Sequence, residues 1–503
     1  MAMKFNGATY IPESRQPQGA DYNARMNRFI RLAALTAVCA PLAAHAQETE
    51  TERAAARDVL KKMAALEESL DVPGIVAKLT AANAERDAVV ARAKELMEKE
   101  LRAMADDIAT HPEIGFQETR SIGRLTDYLR QHNFSIETGT AGLSTAFVAK
   151  YRGNNGRPNL GVILEYDALR GTKGAFHGDQ HSAQGPVGIA AAVAMSEYLS
   201  RTRTPGSVTV FGTPGEEMMP PNAKTEMHLA HAFDGMDVIV RSHSSSVTSR
   251  PRYGFGTCCL NIDGVKYTFS GAPAHQMTSW NGRNALEAVI HLFNNIDSVR
   301  SSIRPEARIQ GIITEGGAAP NVTPDRTAAD FYIRYPDEVY LAQVTEFVDN
   351  AAKAAALSTG TKVKIDHYGQ NRDGIGTATL GELGFAYMKM FGATNVQPEP
   401  GKPQGFEETG SVSRDIPGIG ITAQSSTAPN HTYEMDADNL KEIGHKGFTI
   451  DAETMTAILF DFATHADYRS AVKKEFDGIK ALFAEYQAAL KKVYERPVVP
   501  DPK

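Results

Sequence analysis

Apolar residues recur three and four positions apart in TERAAARDVLKKMAALEESL (51–70) and AERDAVVARAKELMEKELRAMADDIATH (84–111), which predicts helices, read as surface or entry elements. From Asn159 the pattern changes. NLGVILEYDAL (159–169), GSVTVFGTPGEE (206–217) and DVIVRSHSS (237–245) are short β-rich runs. The first two run into acidic residues and the third into a histidine. Between the first and second, FHGDQHSAQGPVGIAAAVAMSEYL (176–199) leads into a helix of small residues. Strand, helix and strand in alternation predict an α/β domain with a mainly parallel sheet. In such sheets ligands bind beyond the carboxyl ends of the strands, so Asp167, Glu216, Glu217 and His243 are expected to converge.

A different texture follows. LNIDGVKYTFSG, RIQGIITEGG, TAADFYIRYP and TKVKIDHYG read as strands, and NALEAVIHLFNNIDSVRSSI and DEVYLAQVTEFVDNAAKAAALST as helices. Their order is strand-helix-strand-strand-helix-strand, the split βαβ or ferredoxin-like plan, and it interrupts the first domain. The chain then returns to α/β texture and ends in the amphipathic helix EFDGIKALFAEYQAALKKVY. The expected division is an N-terminal helical segment at 47–104, a catalytic domain in two stretches at 105–256 and 370–495, and an inserted lid or dimerisation domain at 257–369 between them.

Composition narrows the class. The 503 residues are 22% charged and 42% apolar, with a formal net charge of −7, which suits a soluble enzyme and gives no basic footprint for nucleic acid. The three cysteines are Cys39, Cys258 and Cys259; neighbours in sequence rarely bridge, so no disulfide framework is expected. Residues 26–46 read as a signal peptide: Arg28 and Arg31, the apolar run Leu32–Leu42, then Ala44-His45-Ala46 before Gln47. That run is too short to span a bilayer, and no other stretch reaches spanning length. The expectation is an exported protein, periplasmic or secreted, with residues 1–25 a leader of unknown role.

His177, Asp179 and His181 occupy one five-residue stretch. By themselves they fit either a metal site or a helix-cap arrangement, as Glu216-Glu217 alone fit a solvated acidic turn and His431 a satisfied loop histidine. Together at strand ends they match the needs of a dinuclear hydrolase. Each divalent ion wants about four N or O ligands including water, a carboxylate can bridge two ions, and a further carboxylate must stand free to take a proton. Adjacent glutamates point different ways, so one can ligate while the other serves as base.

HPEIGFQE, EYDAL, HGDQHSAQG, GTPGEE, SGAPAHQMTSWNGRNALEAV, GIITEGGAAPNVTPD and PNHTYEM fall in one order between about Ala105 and Ala466. In that order the chain resembles the dinuclear zinc amidohydrolases and peptidases related to aminoacylase and carboxypeptidase G, in the branch of aminobenzoyl-glutamate hydrolase. The resemblance implies Asp179, His181, Glu217, His243 and His431 as ligands of two divalent ions, zinc foremost with manganese or cobalt as alternatives, and Glu216 as general base. It implies His275 as the group that stabilises the oxyanion, reaching a neighbouring subunit's site in a homodimer. It implies Asn321 and Arg334 as holders of the substrate's carboxylate; the glycines of TEGGAAPN also read as a plain tight turn. Two departures stand out. Asp179 replaces the cysteine usual in that branch, a change of ligand that removes a soft, oxidisable thiolate. Ser411, in EETGSVS, takes the place of a usual aspartate and puts the usual substrate pocket in doubt. His177 either backs the ligands from behind or is purely structural.

The function implied is hydrolysis of the amide of N-acyl or aryl-acyl amino acids, small molecules with a free carboxylate, by water held between the metals. Two alternatives stay open: a dipeptidase or carboxypeptidase on the same apparatus, and a metal-dead binding homologue.

Overall fold

The computed structural model describes residues 54, 56–218, 221–255, 261–398, 409–496 and 499–500. The leader, the signal peptide with its cleavage site, all three cysteines, the expected domain boundary at 256/257, and Glu407 and Glu408 of the EETGSVS stretch lie outside the described residues.

The central sheet has strands β1 (Ser135–Thr138), β2 (Phe147–Tyr151), β3 (Asn154–Leu164), β4 (Pro205–Gly212), β5 (Val238–Ser242) and, after the insertion, β10 (Gly418–Ile421). Their order is β1-β2-β4-β3-β5-β10, parallel from β4 to β10, with β1 and β2 added antiparallel at one edge. Residues 160–164 of β3 are nearly all buried, as expected for a strand covered on both faces. Helix α1 (His181–Thr202) crosses from β3 to β4, and its small residues allow close approach. A Cβ on Gly188 would lie 2.2 Å from Leu164 Cδ2.

The insertion consists of β6 (Asn261–Ser270), α2 (Ala285–Val299), β7 (Arg308–Glu315), β8 (Arg326–Tyr335), α3 (Glu338–Thr359) and β9 (Lys362–Asn371). Its sheet runs β7-β8-β6-β9, all antiparallel, which is the ferredoxin-like arrangement. Phe331, Ile333 and Tyr335 of β8 are buried in a core shared with α2 and α3. By the two-residue period of a strand, Tyr332 and Arg334 lie on the opposite face.

The chain ends with α4 (Glu442–Thr464) and α5 (Ala466–Val493). One expectation needs correcting. The N-terminal helices are core elements rather than surface ones: Val89, Val90, Ala93, Leu96, Met97 and Leu101 join the main core, and Val59 and Met63 join the core of the insertion. A one-sided apolar pattern reports burial of that face but not what covers it. Here α1 and α4 cover the Ala84–Leu96 helix, and α5 covers the Arg57–Glu68 helix. Among the described residues no helix is long and apolar enough to cross a membrane.

Candidate metal centre

Two loops distant in sequence meet beyond the carboxyl ends of the sheet. Gly178 O accepts the His431 backbone N–H at 2.8 Å, and the His177 N–H donates to Asp436 Oδ1 at 2.7 Å. The approach needs glycine, because a Cβ on Gly178 would stand 2.9 Å from Thr432 O. His431 itself has φ +65°, a left-handed conformation costly for a residue with a Cβ and held by that loop-to-loop bond. Gln180, also left-handed at φ 54°, turns the chain so that α1 begins at His181. Its carboxamide oxygen accepts from Ser425 Oγ at 2.7 Å.

Three imidazoles converge on one carboxylate oxygen. Asp179 Oδ2 lies 3.4 Å from His243 Nε2, 3.6 Å from His431 Nε2 and 3.8 Å from His181 Nε2. The other oxygen, Oδ1, is turned toward Asn430 Nδ2, which donates to it, and toward Ser244 Oγ at 3.4 Å. Glu217 Oε1 is 3.6 Å from His431 Nε2 and is buried without a hydrogen-bond donor. Three groups of side chains have donor atoms close enough to hold an ion: Asp179, His181 and His243; Asp179, Glu217 and His431; and His181, Glu216 and Glu217. The first two share Asp179.

Outer contacts fix these donors. Asp167 Oδ1 is 2.9 Å from His181 Nδ1, which leaves Nε2 facing the centre, and Asp167 Oδ2 accepts the Glu217 N–H at 2.9 Å. Behind them Glu165, fully buried, pairs with Lys224 Nζ at 2.9 Å and with Arg241.

Burial opposes the charge on Asp179, yet the neighbouring imidazoles, His243 foremost, hold its carboxyl well below the usual range. Burial likewise works against a charged His181, but Asp167 pushes it up to about 9. Glu216 is pushed up to about 7 by burial and then by Glu165, and Glu217 goes well above its usual range through burial and then Glu216. Glutamates raised by burial and by neighbouring carboxylates, beside a carboxylate held ionised, fit a site built around positive charge. The mixed imidazole and carboxylate donors, with an orphaned Glu217 oxygen among them, suit two divalent ions of the zinc or manganese kind.

The expected carboxylate holders separate. Arg334 is half-buried, with burial lowering its pKa, and it lies within electrostatic reach of Glu216 and Glu217. His275 and Asn321 instead meet each other on an exposed part of the insertion. Residue 275 bridges to Val322, the Gln276 N–H donates to Asn321 O at 3.1 Å, and His275 Nδ1 accepts the Met277 N–H at 3.1 Å. Neither belongs to any of the three donor groups. His177 is buried outside those groups, and burial pushes it down to about 3. Ser411 sits in the short turn Gly410–Arg414, also outside them.

Residues 260–359 match the peptidase dimerisation domain of the M20 group. The human Xaa-Arg dipeptidase is 29% identical over 356 residues, covering 66% of this chain and 79% of that protein. One of the subunits of p-aminobenzoyl-glutamate hydrolase from Escherichia coli K12 is 30% identical over 277 residues, 52% of this chain and 56% of its own length. A solved Bacillus subtilis structure, described as a dinuclear metal binding peptidase from the M20 family, shares the fold. It has a TM-score of 0.52 at 16% identity, covering 72% of this chain and 98% of that one. The chain thus carries the dimerisation domain of the M20 group on a fold shared with an M20 peptidase.

The structure adds residues to those singled out above. Asn430 and Ser244 steady Asp179, Asp167 orients His181, and Glu165 with Lys224 and Arg241 forms the buried floor. Asp167 was legible as a strand-end acid, though its role was not. Asn430 had a signal only in standing next to His431.

Proposed function

We propose that the protein is an M20 amidohydrolase that cleaves the amide between an acyl or aryl-acyl group and an amino acid bearing a free carboxylate, using two divalent ions, with zinc the first choice. The observation that carries the reading is Asp179, shared between two donor groups, with Glu216 raised to about 7 in a third. When bound, the ions supply Lewis acidity toward the scissile carbonyl and make water acidic. Asp179, His181, Glu217, His243 and His431 are the ligands. Glu216 takes a proton from the attacking water at its carboxylate and returns it to the leaving nitrogen, a role suited to a carboxyl poised near neutrality. Asp167 holds the His181 tautomer. Arg334 offers a planar fork to the substrate's carboxylate. A dipeptidase reading uses the same residues and is favoured by the likeness to the human Xaa-Arg dipeptidase. Zinc-, manganese- and cobalt-loaded protein should be screened on N-acyl amino acids, aryl-acyl glutamates and dipeptides. Turnover of acyl amino acids above dipeptides supports the first reading, the reverse order supports the second, and no turnover of either class refutes both.

The active unit is proposed to be a homodimer in which His275 and Asn321 of one copy complete the other copy's site. Their exposed turn supports this: Met277 and Trp280 beside them are each 73% exposed, an apolar surface suited to contact with protein. Mixing the inactive variants Glu216→Gln and His275→Ala should restore some of the activity through mixed dimers. With exchange of chains verified, absence of recovery would mean that His275 does not act across the dimer. Export is also proposed from residues 26–46; N-terminal sequencing of the exported protein should begin close to Gln47, and a mature chain retaining Met26 would refute it.

A further inference from the structure

The insertion is joined to the catalytic domain by more than its two connections. Those connections pair with each other as a short ribbon, Gly254–Phe255 against Ile375–Gly376. Across the ribbon runs α5, whose 28 residues extend about 42 Å at 1.5 Å per residue. Its first turns belong to the catalytic core through Tyr468 and Val472, and its later turns to the core of the insertion through Phe476, Ile479, Tyr486 and Leu490. Glu475, near the crossing point, is fully buried and accepts the N–H of Thr379 at 2.9 Å, capping a catalytic-domain helix. At its far end, Tyr494 Oη donates to Asp337 Oδ2 at 2.9 Å, and Gln343 Nε2 donates to Tyr494 O at 2.9 Å.

One residue gathers these elements. Glu338, the first residue of α3, lies three positions past the end of β8, the strand that carries Arg334. Its Oε2 lies 3.1 Å from Arg414 Nη1 of the catalytic domain and 3.5 Å from Arg372 Nε, just past the end of β9. Its Oε1 accepts from Gln487 of α5. Arg414 also donates to Asp373 O at 2.7 Å, and Arg372 pairs with Asp263 of β6 at 2.7 Å. These contacts border a small void of about 20 Å³ whose lining includes Asn261, Asp373, Arg414 and Phe483. Packing alone is not directional, and the ion pairs and hydrogen bonds add orientation at this junction.

We infer that Glu338 is a positioning residue: with α5 as a strut, it sets the angle of the insertion so that Arg334 stays opposite Glu216 and Glu217. The role given to Arg334 rests on the proposed function; the setting of the angle does not. Glu338→Ala removes one partner from each of Arg414, Arg372 and Gln487, leaving Arg414 on Asp373 O and Arg372 on Asp263, and it touches neither core.

The test uses spin labels at exposed positions Asn294 on α2 and Lys150 on β2, in a background where Cys39, Cys258 and Cys259 are Ser. Glu338→Ala should broaden the distance distribution between the labels and raise KM roughly tenfold, since a small misplacement of a positioning group is enough for that. Metal content should stay at the parent level and kcat should change far less than KM, a split that general unfolding does not give. Arg414→Ala should behave alike, and the double variant should be little worse than either single one, as expected for one coupled contact. A distance distribution unchanged in both single variants overturns the inference. Arg334→Ala separates the two layers: if it leaves KM unaltered while Glu338→Ala still broadens the distances, the substrate role of Arg334 fails and the angle-setting role of Glu338 stands.

Discussion

Asp179→Asn is expected to cost the protein at least one metal ion and nearly all of its activity. The prediction follows from the position of Oδ2, which faces the Nε2 atoms of His243, His431 and His181 at 3.4, 3.6 and 3.8 Å. With two ions bound, a carboxylate there would supply negative charge to cations that otherwise repel each other. Asparagine keeps the volume but removes the charge and one good donor oxygen. The loss should exceed the roughly 10–100-fold penalty typical when only an outer partner of a metal ligand is removed. Asp179→Cys is expected to be milder. Thiolate can also bridge, and it is the ligand of the branch this chain resembles; metal binding should survive with a stronger preference for zinc over manganese.

There is a bland competitor, and the structure gives it substance. Asp179 Oδ1 accepts from Asn430 and Ser244 Oγ approaches it, so the side chain also ties the two loops together. If that were its whole task, asparagine would be the gentler replacement, since its oxygen can accept the same bonds, and cysteine the harsher. Metal stoichiometry of the two variants separates the cases. An asparagine variant that keeps both ions while the cysteine variant loses them removes Asp179 from the ligand set.

The split between what could and could not be read from sequence has a physical basis. Strand periodicity and the residues at strand ends carry a local signal, and local signals placed Asp167, Glu216, Glu217 and His243 on one side of the sheet. The ferredoxin-like insertion was legible for the same reason, because its six elements alternate cleanly in period. Contacts across long sequence separation carry no such mark. Asn430 reaches Asp179 over 251 positions, and nothing in PNHTYEM says which of its polar residues will face the loop at 176–181. The terminal helices show the same limit. Their patterns announce a buried face, while the partners, the central core for one N-terminal helix and the core of the insertion for the other, follow only from the assembled fold.

The adjacent glutamates should diverge on mutation, although both sit where burial raises their carboxyls. Glu216→Gln is expected to keep two metal ions and lose about 10²–10⁴-fold in turnover, the usual worth of a positioned general base. Its amide cannot accept a proton from water, and its neutral size leaves the surrounding donors in place. Glu217→Gln is expected to lose metal as well as activity. Glu217 Oε1 is a buried oxygen without a donor, 3.6 Å from His431 Nε2, and its backbone N–H is pinned by Asp167. The amide in its place would turn either a weaker donor oxygen or an N–H toward the ion. Glu216 also belongs to a donor group, with His181 and Glu217, so the reverse assignment is a concrete rival rather than a formality. Metal analysis of the purified variants, alongside turnover at saturating metal, distinguishes them. Equal metal loss in both, or loss confined to Glu216→Gln, would show that Glu216 is a ligand and that the base must be sought elsewhere in the site.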